Sequence, residues 1–116
     1  QIIFADLALQ ELFELGKTKN SKYKKIQKSK KLLSGYQRVV STMQGVERVA
    51  DLRQFSFLHY ESLKHEYQGM SSVRIVNGEV ERLIFSETDN GITVRLIEIE
   101  VRIMATDKKI FPSRAV

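Results

Sequence analysis

The alternation of hydrophobic and polar positions divides the chain into a helical first half and a strand-rich second half. Residues 1–6 suit a short strand ending at a helix cap, because Asp6 can accept hydrogen bonds from the amides that follow it. Leucines and a phenylalanine then place an apolar face along residues 7–15. A second apolar face repeats at three-and-four spacing over residues 32–43, and Gly45 follows where a helix would end. These patterns predict two helices that form a hairpin.

The second half alternates with the period of β-strands, and turn signals interrupt it twice. Residues 72–76 and 80–85 flank an Asn-Gly pair at 77–78, and an Asp-Asn-Gly run at 89–91 leads into residues 92–96. Asn-Gly between β-rich runs favours a hairpin, because a type I′ turn needs positive φ at both central residues. The sequence therefore predicts a three-stranded antiparallel meander.

The last strand changes phase in its middle. Apolar residues alternate on one face up to Leu96, and from Ile97 they continue on the opposite parity, which predicts a bulge or sharp twist at that step. Residues 46–69 lack a regular period and are expected to form a loop with short extended pieces. Residues 105–116 are expected to be a frayed tail. The order β-α-α-loop-β-β-β predicts a single α+β domain over residues 1–104, with the helical hairpin packed on one face of a twisted antiparallel sheet.

The positive charge is concentrated in one segment. The whole chain has a net charge of +5, but residues 15–46 contain no acidic residue and carry +9, which leaves −4 for the other 84 residues. A strongly basic face on a slightly acidic body favours a polyanionic partner. Lysines with few aromatic neighbours suit contact with a nucleic-acid backbone more than recognition of bases. The candidate RNA- or ribosome-binding residues are Lys17, Lys19, Lys22, Lys24, Lys25, Lys28, Lys30, Lys31 and Arg38.

The lysine-rich stretch itself is expected to be a mobile connection or a weakly held turn at the tip of the hairpin. Its charges repel one another, and only Tyr23 and Ile26 could anchor residues 17–31 to a core. Alternatively, the stretch serves only solubility.

Several other classes of protein have no support in the composition. The chain has no cysteine, so it can form neither disulfides nor thiolate metal sites. Its two histidines, His59 and His65, match no common metal-ligand spacing, and no glycine-rich nucleotide fingerprint is present. No apolar run approaches the roughly 18 residues that a membrane span needs. We therefore expect no metal, no cofactor and no membrane partner, and a cytoplasmic setting.

Cationic and titratable side chains gather around the start of the meander. His59, Lys64 and His65 precede it, Arg74 lies in its first strand and Arg82 in its second. A three-residue loop would set Arg74 opposite Arg82, whereas a strict two-residue turn would send Arg82 to the other face. Two facing arginines would repel unless an anion lay between them, and a phosphate suits the guanidinium forks. The alternative is a set of ordinary surface arginines that pair with Glu79, Glu81, Glu98 and Glu100.

Three short motifs occur in the order found in a known family. Residues 58–64 read Leu-His-x-x-x-Leu-Lys, residues 72–75 read Ser-x-Arg-x, and residues 82–85 read Arg-x-x-Phe. This arrangement resembles the HigB branch of the RelE/ParE-type toxins over roughly residues 1–100. The resemblance implies a toxin of a type II toxin–antitoxin system. Such a toxin cleaves mRNA at the ribosome without a metal, and a cognate antitoxin of HigA-like, helix-turn-helix type silences it.

The resemblance also implies roles for the cationic residues. Arg82 would stabilise the phosphorane-like transition state, and Arg74 would hold either the phosphate or the active face of the sheet. Lys64 would bind phosphate, and His59 would be the general base, since histidine titrates nearest neutral pH. The sequence departs from the family because no histidine or tyrosine follows Tyr67, whereas many HigB-like chains end their last strand with one. Tyr60 and Tyr67 are candidates to stack on a base. Catalysis could thus be rearranged or lost, and a ParE-like inhibitor of DNA gyrase or a decayed, antitoxin-binding relative is the alternative.

Overall fold

The computed structural model describes residues 1–64, 67–88 and 92–101. His65, the predicted turn at residues 89–91 and the predicted tail at residues 105–116 lie outside the described residues, so expectations about them stay predictions.

Three helices occupy the first half of the chain. They are α1 (Leu7–Glu14), α2 (Lys24–Lys28) and α3 (Lys30–Gly45). The predicted cap is confirmed, since Asp6 Oδ1 accepts a hydrogen bond from the amide of Ala8 at 2.9 Å. The expectation of a weakly held link is wrong for residues 21–28, which form a 3₁₀ turn and then α2. The two anchors named from the sequence explain this, because Tyr23 and Ile26 are buried in the core.

Within the described residues, five strands form one sheet with the order β1-β5-β4-β3-β2. The strands are β1 (Ile2–Phe4), β2 (Glu61–Ser62), β3 (Met70–Arg74), β4 (Glu81–Thr88) and β5 (Thr93–Val101). The predicted meander is confirmed as β3, β4 and β5, which pair antiparallel. At one edge β1 runs parallel to β5, and at the other the two-residue β2 pairs antiparallel with β3. The sheet and its helices thus confirm the predicted α+β class.

The turn between β3 and β4 decides which arginines share a face. Arg74 pairs with Arg82, as the three-residue loop requires. Among the described residues that are not glycine, His59 alone has a positive φ, so Asn77 does not adopt the conformation of a type I′ turn. Gly78 takes the positive φ of 91° that the loop needs.

The predicted bulge in the last strand is confirmed. Ile84 pairs with Glu98 and Phe85 pairs with Leu96, so Ile97 is the extra residue on β5. The extra residue lets Leu96 and Ile99, which lie an odd number of positions apart, both join the hydrophobic core.

The helices cover one face of the sheet. Val73, Leu83 and Phe85 on that face pack with residues of α1 and α3, and Tyr36 of α3 donates a hydrogen bond to the carbonyl of Leu9 at 2.7 Å. No helix among the described residues is long and apolar enough to cross a membrane. The polar candidate residues lie on the opposite face, away from the residues that pack with α1 and α3.

Candidate functional site

Polar side chains line the face of the sheet that the helices leave uncovered. Because side chains alternate along a strand, Arg74 and Arg82 point away from the helix-covered residues Val73 and Leu83. Glu100 of β5 pairs with Arg82, so Arg74, Arg82 and Glu100 form one row across three strands. We call this row, together with His59, the sheet-face site.

Arg82 is the most buried member of the sheet-face site, with no exposed surface. Its Nε donates to Ser72 Oγ at 2.7 Å, and its Nη2 donates to the backbone carbonyls of Ser72, at 3.1 Å, and His59. Guanidinium remains charged under all ordinary conditions, so these acceptors hold a buried positive charge. In this conformation Arg82 fixes the His59 loop and presents no surface to a ligand.

His59 is exposed and has a left-handed backbone conformation, with φ 49° and ψ 54°. It ends the 3₁₀ turn Ser56–Leu58, and histidine is among the residues that tolerate this conformation best. Its carbonyl accepts the hydrogen bond from Arg82, and its Nε2 lies 3.0 Å from Asn77 Oδ1 in the β3–β4 loop. The hydrogen bond from Arg82 therefore holds the backbone of His59, while its imidazole ring is exposed to solvent.

Arg74 is half-buried at the end of β3. Its Nη1 donates to the carbonyl of Glu79 at 2.5 Å, across the loop that also carries Asn77. Thus Arg74 and His59 both contact the same loop, and the structure brings these two predicted residues together.

The carboxylates expected near the arginines have other partners. Among the described residues, the carboxylates of Glu79, Glu81 and Glu98 form ion pairs with lysines. Only Glu100 lies beside Arg82 in the sheet, and its Oε2 accepts a hydrogen bond from the hydroxyl of Tyr67 at 2.9 Å. The interpretation of Tyr67 as a stacking ring stays a prediction, but its hydroxyl is engaged with the sheet-face site.

Glu61 is a candidate that sequence reasoning passed over. It pairs with Ser72 across β2 and β3, so its half-exposed side chain lies on the same face as Arg82, one row away. The sequence shows a glutamate near the meander, but nothing in a two-residue strand indicates its register and therefore the face on which Glu61 lies.

Two other predicted residues lie apart from this network. Lys64 is exposed after β2, and no hydrogen bond or ion pair joins its ammonium group to the described residues. Tyr60 lies on the helix side, where its ring packs near Phe85 at 6.1 Å and below the guanidinium of Arg53 at 4.3 Å. These contacts favour the anchoring use of Tyr60 over base stacking.

All the predicted RNA-contacting residues of the basic segment are exposed. Three of them are paired with acids of the strands or of the β3–β4 loop, namely Lys22 with Glu98 at 2.5 Å, Lys25 with Glu81 at 2.8 Å and Lys31 with Glu79 at 3.4 Å. The hydrogen bond to Glu98 raises the pKa of Lys22, and the hydrogen bond to Glu81 raises the pKa of Lys25. The basic segment is therefore fastened to the strands that carry the sheet-face site.

Comparison with known families and with characterised proteins finds no matching family and no similar sequence. Solved structures do match. A chain of the YoeB-YefM complex from Staphylococcus aureus gives a TM-score of 0.52 at 22% identity, covering 88% of this chain and 95% of that one. A heterotetrameric YoeB-YefM toxin-antitoxin complex from the same organism gives a TM-score of 0.52 at 20% identity, with the same coverage. The toxin-antitoxin complex RelBE2 from Mycobacterium tuberculosis gives 0.45 at 19% identity, covering 88% and 96%.

These likenesses agree with the architecture derived above. The chain has the α+β fold of the matched chains of the YoeB-YefM complexes, with a five-stranded sheet and helices on one face among the described residues. The sequence identities to these structures are low, so the likeness concerns the fold alone.

Proposed function

We propose that this chain is the toxin of a type II toxin–antitoxin pair and cleaves mRNA at the ribosome without a metal. The observation that carries the proposal is the sheet-face site, in which Arg74, Arg82 and His59 converge on the face that the helices leave open. The fold shared with toxin-antitoxin complexes supports the same class, and a HigB-like branch with a HigA-like antitoxin is the finer assignment we propose.

The proposed reaction uses the RNA's own 2′-hydroxyl as nucleophile. A general base removes its proton, the oxygen attacks the adjacent phosphorus, and the bond to the leaving 5′-oxygen breaks as that oxygen gains a proton. The products are a 2′,3′-cyclic phosphate and a 5′-hydroxyl. His59 is the proposed base because its ring is exposed beside Arg74, and Glu61 is a second candidate on the same face.

The two arginines have different proposed roles. Half-buried Arg74 meets the phosphate and stabilises its developing negative charge. Lys64, exposed after β2 and apart from Arg74, contacts the RNA backbone elsewhere. Arg82 was expected to contact the transition state, but its burial and its bonds to Ser72 and His59 favour a positioning role. Arg82 thereby supports the loop that presents His59.

Mapping mRNA ends in a translating extract with added protein tests this proposal. We expect cleavage that leaves 5′-hydroxyl ends, and a loss of about 10²–10³-fold for Arg74→Gln if it stabilises transition-state charge. His59→Asn removes the imidazole ring while keeping a side chain that tolerates the left-handed backbone. Arg95→Gln is the matched control, because Arg95 is an exposed arginine of β5 outside the row. Intact mRNA at saturating protein, or equal losses in Arg74→Gln and Arg95→Gln, contradicts the proposal.

One observation favours a second candidate. If a nuclease of this type needs an accessible arginine at the Arg82 position, the complete burial of Arg82 suits a binding inhibitor such as a ParE-like gyrase inhibitor. Inhibition of gyrase supercoiling without mRNA cleavage would support that candidate. A decayed relative would bind only the antitoxin and show neither effect.

A further inference from the structure

The lysines of the basic segment differ in what they face. Lys22 and Lys25 each lie within ion-pair distance of a strand carboxylate, and Lys31 lies within that distance of Glu79 in the β3–β4 loop. Lys24 and Lys28, at the two ends of α2, have no ion pair with any carboxylate in the described part of the chain. The segment therefore contains lysines with equal formal charge and unequal electrostatic surroundings.

The paired lysines are placed to hold the segment on the sheet. Glu81 is 3% exposed, and Lys25 is its ion-pair partner at 2.8 Å. Removing the partner of a buried carboxylate leaves its charge uncompensated, which is costly. A phosphate that took Lys25 away would incur that cost. Lys25 is consequently a poor contact for an external anion.

Lys24 and Lys28 face the opposite situation. They are four residues apart on α2, so their side chains are neighbours on one side of the helix and repel each other. A concave surface of about 650 Å³ lies beside them, lined by Ser21, Lys22, Lys24, Lys25, Lys28 and Ser29. An anion seated there would relieve the repulsion without breaking an ion pair of the fold.

We propose that this concave surface on α2 binds the phosphate backbone of RNA through Lys24 and Lys28, while Lys22, Lys25 and Lys31 fasten the segment to the sheet. The inference rests on the proposed function for its choice of RNA as partner. It assigns RNA docking to two lysines and structural support to three others, although all five carry the same formal charge.

Two double variants with the same change of charge test the division. Lys24→Gln/Lys28→Gln removes two docking lysines, and Lys25→Gln/Lys31→Gln removes two that are paired with Glu81 and Glu79. Affinity for a 20-base-pair RNA hairpin is measured over a range of salt concentrations. Each phosphate contact contributes about 0.7–0.9 to the slope of log K against log salt, so the first variant should lower the slope by about 1.5 and the affinity by about 30-fold at 0.1 M salt. The second should retain most of the slope and unfold at a lower temperature.

Equal losses of affinity and slope in the two variants would overturn the division, because a diffuse charge effect treats all lysines alike. An unchanged slope in Lys24→Gln/Lys28→Gln would overturn the docking site itself. Polyglutamate of matched charge is the competing probe, and equally tight binding of it, with the same sensitivity to Lys24→Gln/Lys28→Gln, would overturn the choice of RNA. RNA binding is scored without cleavage. The mRNA-cleavage proposal is tested separately, in the translating extract, so its failure can be distinguished from failure of the docking site.

Discussion

Replacing Gly35 by alanine adds a single methyl group where α3 crosses the end of β3. A Cβ at this position would lie 2.3 Å from the carbonyl oxygen of Ile75 and 2.6 Å from Val76 Cγ2. Nonbonded heavy atoms normally approach to about 3.5–4.0 Å. The valine side chain could rotate, but the carbonyl belongs to the backbone of the segment that follows β3. Either α3 or this segment must therefore move by about 1 Å.

The size of the effect follows from two opposing contributions. Alanine is favoured over glycine inside a helix by about 1 kcal/mol. Overpacking a well-packed region costs about 1–3 kcal/mol, and a clash with backbone belongs at the upper end of that range. We expect Gly35→Ala to lower the free energy of unfolding by about 1–2 kcal/mol, which corresponds to a drop in Tm of roughly 4–8 °C per kcal/mol for a domain of this size.

Denaturant and thermal unfolding measure the difference, and Gly45→Ala is the matched control. Gly45 ends the same helix, has open space around its missing Cβ and does not have a positive φ, so alanine there should be neutral or slightly stabilising. If Gly35→Ala proved as stable as Gly45→Ala, the close approach of α3 to the strand would be wrong. Because Ile75 directly follows Arg74, the same substitution should also weaken the proposed cleavage activity.

Three further outcomes are expected. The Arg82→Ala variant should unfold far more easily than Ser72→Ala, because it leaves the buried Ser72 and the His59 carbonyl without their hydrogen-bond donor. Circular-dichroism unfolding curves measure this difference, and the loss of activity in Arg82→Ala is interpreted together with them. Raising the pH above about 10 should lower the free energy of unfolding, because burial raises the pKa of Tyr23 and of Tyr36 above the value in the unfolded chain. Both side chains stay neutral in the folded protein and ionise when it unfolds. Their tyrosinate absorbance should therefore appear only as the chain unfolds. Asp6→Ala should cost about 1 kcal/mol in a urea titration through loss of the α1 cap, with Asp6→Asn as the tolerated control.

Local chemistry was enough to predict the parts of the fold that depend on neighbouring residues. The change of alternation phase predicted the bulge near Leu96 and Ile97, because one residue of slip exchanges the faces of a strand. The Asn-Gly turn left two registers open for Arg74 and Arg82, and the structure adopts the one in which they face each other. The cap at Asp6 follows the same logic. Glycine inside a helix is ordinarily destabilising, and the close approach of Gly35 to Ile75 gives the reason for this one. That contact joins residues 40 positions apart, and no local pattern encodes it.

The electrostatic arrangement could not be predicted in this way. Glu79, Glu81 and Glu98 lie close in sequence to arginines, yet they pair with lysines 48 to 76 positions away. Proximity along a strand does not decide ion pairing, because alternate residues point to opposite faces. Glu81 and Arg82 are adjacent in sequence, and their side chains lie on opposite sides of the sheet.

The burial of Arg82 changes how a positive charge can serve the proposed reaction. A guanidinium that binds phosphate directly must be accessible to the RNA. A guanidinium held by Ser72 and His59 instead acts on the phosphate through its electrostatic field. Charges interact more strongly away from water, and a fixed charge needs no reorganisation when negative charge develops nearby. With Arg74 at the surface and Arg82 beneath the loop, the two facing arginines are no longer redundant. One is placed to meet a phosphate, and the other holds the histidine loop and makes that face favourable for an anion.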